Sequence, residues 1–361
     1  MPFEGKKTHG GEQHVPKLTV DNFYHRNIAS IIKGALEDHV FTTYNTTPFQ
    51  QRWKTSDGRD IRVYSEIYSS DSVLGMYREV NTAPRPPGDD YERIIVPLML
   101  FSDATLLSNF GQASLWPIYL FVGNQSKYTR GKPTAKACHH LAYIPSLPDG
   151  WQSNYAEIYG KAPTREVHTH LKRELVHGVW RLLLQDEEFC RAYTEGIIAK
   201  CGDDIIRRAL LRIVTYTGDY PEKIILSTLK YFAKYPCPRC LVPKHLLSKM
   251  GTMADMQRRL KIRLDSKKRQ ACVRTARGKI FKKGRPVNSK QVNDTLGEHS
   301  YVPTMNAFSE FLLDKEVNFF ELFVPDFLHE YELGVWKSIF IHLVRMLLSI
   351  GGTSVTRVDE R

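Results

Sequence analysis

Cysteine is scarce in this chain: six in 361 residues, with only Cys237 and Cys240 close together. That is too few for a disulfide scaffold and suits a reducing compartment with one metal clip. No run of eighteen apolar residues occurs, and the most apolar segment, Val335 to Ile350, is interrupted by Lys337, His342 and Arg345. A membrane span is therefore not expected. The first thirty residues lack an apolar run, so no secretory signal is read there. No internal repeat is present. Acids and aromatics are both scarce in one stretch. Between Lys249 and Lys290 stand 15 Lys or Arg against two acids, Asp255 and Asp265, and Phe281 is the one aromatic. A block so poor in rings does not read as a base-stacking surface; phosphate contact is its natural chemistry.

What is present is an ordinary globular composition, 42% hydrophobic and 25% charged, with 17 Phe, 18 Tyr and 5 Trp to build a core. The formal charge of +12 is local: outside the basic stretch 36 bases meet 37 acids. Such a run is either a solvated loop or a polyphosphate-facing insertion. The length allows two units, or one domain with insertions.

Residues 1 to 16 are polar and expected to fray. The breaker Ala83 to Asp90 (APRPPGDD) marks a boundary. After it, three apolar runs (Arg93 to Phe101, Trp116 to Val122 and Cys138 to Ile144) read as strands of an antiparallel meander, with Pro97 placed where no ladder donor is needed. From Thr169 to Ile198, Leu171, Leu175, Val179, Leu182 and Leu183 recur at helical spacing. A fourth strand, Leu210 to Tyr216, leads into a helix opened by Pro221 and running through Ile225, Leu229 and Phe232. Asp326 to Ile350 reads as an amphipathic helix, or two meeting near Gly334. This order suggests an α/β fold, a mixed sheet flanked by helices in a ribonuclease H-like layout. The divisions are 1–92, without a readable motif; 93–235, the first part of the core; 236–300, a CxxC and basic insertion; and 301–361, a C-terminal helical part.

Asp103 and Asp219 each follow an apolar strand, at the end where open α/β sheets collect ligands. The strands bearing them are expected side by side. Two such carboxylates can hold divalent ions that activate a water or hydroxyl against a phosphodiester. Magnesium suits them, being a hard ion that needs one or two carboxylates beside a phosphate. The plainer alternative is a pair of turn or N-cap aspartates. Cys237-Pro238-Arg239-Cys240 has zinc-knuckle spacing but supplies half a tetrahedral site; His245, His329 and His342 are the candidate completions. Asp326, His329 and Glu330 share a helix face, with Glu332 nearby.

The blocks Ser102 to Asp149, KRELVHGVW (Lys172 to Trp180), TYTGDYPEK (Thr215 to Lys223), CPRC (Cys237 to Cys240), VPTMNAFSEFL (Val302 to Leu312) and VPDFLHEYELGVWKSIFIHLVRML (Val324 to Leu347) resemble, in order, fungal DNA transposases of the Plavaka and Kyakuja–Dileera–Zisupton type, relatives of the CACTA group. The resemblance spans roughly residues 60 to 361. It implies an acidic-triad transposase that cuts and joins DNA through two Mg²⁺ (or Mn²⁺) ions. Asp103 matches the first acid and Asp219 the second, while Glu330 and Glu332 are the glutamates available for the third. The CPRC pair matches zinc-binding cysteines of an insertion between the second and third acids, and His329 matches a histidine linked to that zinc; either His342 or His245 is expected as the fourth ligand. The chain ends just after 356–361, where family members continue, which implies a C-terminally incomplete copy.

The implied partner is double-stranded DNA at transposon ends, bound through Lys267, Lys268, Arg269, Lys282, Lys283 and Arg285, with a homo-oligomer and no membrane. The same basic clusters resemble a two-part nuclear import signal and point to the nucleus. The rival expectation is a DNA-binding remnant that keeps the fold without cleavage; a helical interaction protein with an incidental basic loop is a third.

Overall fold

The computed structural model describes residues 8–106 and 114–360. Its centre is a mixed five-stranded sheet: β1 (Glu92–Ser102), β2 (Pro117–Val122), β3 (His139–Tyr143), β4 (Ile197–Lys200) and β5 (Ile206–Thr217), in spatial order β3-β2-β1-β5-β4. β1 and β5 run parallel, and every other pair is antiparallel. The three-strand meander and the strand before Asp219 are where the apolar runs place them. β1 is buried along almost its whole length, as a central strand covered on both faces must be. Pro97 keeps register with Arg212 of β5 and lies just before the β2 ladder begins at Leu98↔Val122, so its missing donor falls outside that ladder.

Seven helices matter for the argument: α1 (Ile28–Glu37), α2 (Asp71–Thr82), α3 (Arg165–Leu184), α4 (Glu187–Thr194), α5 (Tyr220–Leu226), α6 (Lys267–Arg277) and α7 (Lys337–Ile350). The single helix expected from Thr169 to Ile198 is two helices and a strand. Asp186 stops it by accepting the Phe189 N–H at 2.9 Å and capping α4. Gly196 then turns the chain into β4 at φ 84°, where an added Cβ would lie 2.8 Å from Arg208 Cγ. Leu182, expected inside, is 62% exposed, while Leu175, Val179, Trp180 and Leu183 pack against the sheet. α5 ends six residues earlier than its pattern suggests, because Thr228 adopts a left-handed φ of 51°.

Through Trp180 of α3 and Tyr216 of β5, the core joins sheet, α1, α3 and α4 to a late aromatic group: Phe308, Phe311, Phe319 and Phe323. Residues 8 to 16 are not frayed, since Val15 is buried with Val273, Ile280 and Phe281. Residues 1–7 of that expectation, and 107–113 within the resemblance block, lie outside the described residues. A π-helical segment, Phe327–Trp336, runs into α7, and the 24 residues Phe327–Ile350 are long and apolar enough, by length and composition, to cross a membrane. Length and composition are all that it shares with a membrane span, and Lys337, His342 and Arg345 lie within it. Its first turn is nonetheless tied to the carboxyl end of the sheet.

Candidate functional site

Parallel pairing of β1 with β5 puts Phe101 opposite Thr217, so Asp103 and Asp219 each lie two residues beyond the same rung. Both are partly exposed. The expected adjacency of the two strands is present, and so is the plainer role of one aspartate: Asp219 caps α5, accepting the Glu222 N–H at 2.8 Å.

Beneath the pair lies a group that the sequence patterns did not single out. Ser102 Oγ and Tyr216 Oη are 2.5 Å apart, and Ser102 also donates to the Glu222 carboxyl. All three side chains are buried. Ser102 precedes Asp103, and Tyr216 and Glu222 flank Asp219, so the chain of hydroxyls and carboxyl latches the two strand ends together. Burial pushes the Glu222 carboxyl up to about 7, against the opposing hydrogen bond from Ser102, and the charges of Asp219 and Asp103 push the same way. The signal for Glu222 was its place three residues after a capping aspartate; its burial was not readable.

The chain returns to this end after the insertion. Phe323 bridges Tyr216 in parallel, and Val324 N–H donates to Tyr216 O at 3.2 Å. This delivers Asp326, His329 and Glu330 to the acidic strand ends. Asp326 accepts the His329 N–H at 3.1 Å and faces His329 Nδ1 at 2.7 Å. The His329 imidazole is held above its ordinary value, first by that hydrogen bond, with the charges of Asp103 and Asp219 adding to it. Lys223, buried at the start of α5, donates to Val324 O at 3.1 Å and pairs with Glu330. Glu332 is exposed on the following turn. Of the two candidate glutamates, Glu330 is the one fixed to the site.

The CPRC loop is shaped around its first sulfur. Cys237 Sγ accepts the N–H groups of Arg239 and Cys240, each at 3.4 Å. The hydrogen bond from the Cys240 thiol, ahead of these N–H groups, lowers the Cys237 thiol to about 5, while Cys240 is raised. The loop is braced by Arg263, which is 1% exposed and donates to the carbonyls of Cys237 (2.7 Å), Tyr235 (2.7 Å) and His299 (2.9 Å). Among the described residues no three His, Cys, Asp or Glu side chains gather as a metal-holding group. Cys237 and Cys240 are thus not joined into one by His245, His329 or His342, and Asp103, Asp219 and Glu330 do not close into a cage. His342 is exposed on α7.

The basic stretch is folded, not a solvated loop. α6 and a π-turn Gly278–Lys282 pack around Val273, Ala276, Ile280 and Phe281, and a short helix Met253–Arg259 precedes them. Its two acids are both used internally, Asp255 on Arg259 and Asp265 on Arg269. Arg269, expected on DNA, is instead 4% exposed: it donates to Thr228 Oγ1 at 2.6 Å and lies 5.1 Å over the rings of Tyr301 and Phe319. A guanidinium spent in this way cannot reach a phosphate. Arg277 is also buried, bidentate on Glu174 of α3 at 2.6 and 3.1 Å. Lys267, Lys268, Lys282, Lys283 and Arg285 remain exposed.

The family model of the Plavaka transposase matches residues 2–345, nearly the whole chain, and no curated protein matches it. The chain belongs to the Plavaka transposase family.

Proposed function

We propose that this transposase cleaves and joins DNA strands at the carboxyl end of the β1–β5 pair, on a ribonuclease H-like core. The observation that carries the proposal is the in-register parallel pairing that brings Asp103 and Asp219 to one sheet end. The return of the chain beside Tyr216 supports it, since that places a third acidic segment at the same end. Two hard oxygen donors, both partly open to solvent, fit Mg²⁺ or Mn²⁺, which needs few protein ligands beside a substrate phosphate. Such ions would activate the attacking water or hydroxyl and stabilise the leaving oxygen. The protein's own residues do the positioning. The Ser102–Tyr216–Glu222 latch sets the spacing of the strand ends, Lys223 keeps Glu330 at hand, and Asp326 fixes the His329 ring, whose raised basicity favours the cation that attracts phosphate.

A zinc ion at Cys237 and Cys240 belongs to the same proposal. The loop presents two sulfurs, one stabilised as thiolate, which is half of a structural site; His329 and His342 would have to approach it to complete four ligands. Duplex DNA at transposon ends would lie on Lys267, Lys268, Lys282, Lys283 and Arg285. Joining two ends calls for more than one copy of the chain, and the basic clusters direct it to the nucleus.

A second reading, a DNA-binding remnant without cleavage, is favoured by one observation: Glu330 is engaged by Lys223 and, among the described residues, no third carboxylate closes the site. Plasmid DNA incubated with the purified chain in Mg²⁺ or Mn²⁺ separates the two. Nicking that disappears in Asp103→Asn and Asp219→Asn supports the enzyme; no nicking by the wild type in either metal leaves the remnant. Nicking that survives both substitutions removes the site from these aspartates.

A further inference from the structure

We infer that the cleft opening beside Asp103 binds one unpaired nucleotide of the DNA, base against tryptophan and phosphate toward Lys172, an inference that rests on the DNA-cutting proposal above. The cleft encloses about 380 Å³ and begins at Ala104, the residue after Asp103. That volume lies at the lower end of the roughly 300–1,000 Å³ range of small-ligand pockets: room for a nucleotide and none for a duplex. Trp116 and Trp151 line it; Trp151 is 5% exposed and Trp116 half-buried, so Trp116 is the ring a base can reach, and His168 and Lys172 stand at the edge, one turn apart on the same face of α3. Lys172 Nζ lies 4.9 Å over the Trp116 ring, and His168 stacks on Trp151 at 5.5 Å with planes 22° apart. Asp149 is the acid in the lining.

Flat aromatic walls with a cation beside them are the chemistry by which proteins hold unpaired bases, because every base has a face to stack and a phosphate to neutralise. The basic insertion offers the second half of that chemistry without the first, since Phe281 is 1% exposed. The cleft offers both. Its position also fits: Trp116 flanks the buried Glu222 carboxyl, so one wall of the cleft is shared with the latch beneath Asp103 and Asp219. A strand whose phosphate reaches the acidic pair passes the cleft mouth with its neighbouring nucleotide, and a base left unpaired there meets a ring close beside the first acid.

The test uses the full chain with no Mg²⁺ or Mn²⁺ added and no chelator, so that binding is read without cutting and any zinc stays in place. The probes are a blunt duplex and the same duplex with a short single-stranded tail whose first unpaired base is 2-aminopurine. The expected result is quenched 2-aminopurine fluorescence and about tenfold tighter binding of the tailed probe. Trp116→Leu and Lys172→Gln should each remove most of the quenching and of the tail's advantage while blunt-duplex affinity stays within about twofold. Lys172 is exposed, so its substitution reports on the cleft even if the tryptophan variant fails to fold. Equal binding of tailed and blunt probes by the wild type would overturn the nucleotide site and leave the DNA reading standing. Quenching that survives both substitutions would also overturn it, and failure to bind either probe would remove both readings.

Discussion

The carboxyl end of the sheet and the basic insertion both gather charge, and they handle it in opposite ways. At the sheet end Asp103 and Asp219 stay partly open, while the groups below them, Ser102, Tyr216 and Glu222, are consumed in holding them. In the insertion the density of positive charge is much higher, yet a share of it is turned inward: Arg263 on three carbonyls, Arg269 on Asp265 and Thr228, Arg277 on Glu174. These three arginines carry the fold, while Lys267, Lys268, Lys282, Lys283 and Arg285 face water. A planar fork with five donors can be satisfied inside a protein, whereas an ammonium on a flexible stem is most easily left solvated. Counting charges along a sequence therefore overstates what is available to a ligand, and pairing decides what remains.

That contrast can be broken experimentally, and the largest effect should come from its inward side. Arg277→Ala leaves Glu174 buried without its bidentate partner, and breaking such a pair costs about 3–5 kcal/mol. Urea denaturation should show it; a loss below about 1 kcal/mol would mean that Arg277 is no more structural than a surface lysine.

Next comes the latch at the sheet end, read through pH. Glu222 titrates near 7 when folded against 4.5 as its ordinary value, so between those values only the unfolded chain gives up the proton. Stability is full below about 4.5, falls as pH rises toward 7, and is flat above, a total of about 3 kcal/mol. Glu222→Gln should remove that fall, so the difference between variant and wild-type unfolding free energies should grow from about pH 4.5 to 7 and then level off. A pH-independent difference would refute the buried neutral carboxyl.

A smaller effect separates the two roles of Asp219. Asp219→Ala should cost about 1 kcal/mol through the lost α5 cap, while Asp219→Asn, which caps as well, should cost a few tenths. If both variants lose nicking alike, the cap does not account for the activity.

The smallest effect on stability belongs to the outward side. Replacing Lys267, Lys268, Lys282, Lys283 and Arg285 together with Gln should change unfolding free energy by about 0.5 kcal/mol or less per site. The same change should flatten the salt dependence of duplex binding, by about 0.9 in log–log slope for each phosphate no longer neutralised. An unchanged slope would show that the exposed bases face only solvent.

Much of this protein was legible from residues alone. Short apolar runs bounded by turn signals located β1, β2, β3 and β5, because such runs are written locally. The two aspartates after β1 and β5 and the CxxC turn were visible for the same reason: they sit at strand ends and turns whose signals are short-range. The blocks shared with Plavaka transposases were likewise a property of the sequence. Tertiary structure alone decided the rest. Ile197–Lys200 became a strand because β5 offered it an edge across Gly196, overriding the helical pattern before it. Glu222 became a buried latch because parallel pairing set Ser102 against Tyr216, residues 114 apart in the chain. Glu330, and not Glu332, is held at this end by Lys223, because Phe323 pairs beside β5. And Arg269 left the DNA-facing set because Tyr301, Phe319 and Phe320 closed around it. Each of these depends on partners brought from far along the chain, and no local pattern encodes which distant groups will arrive.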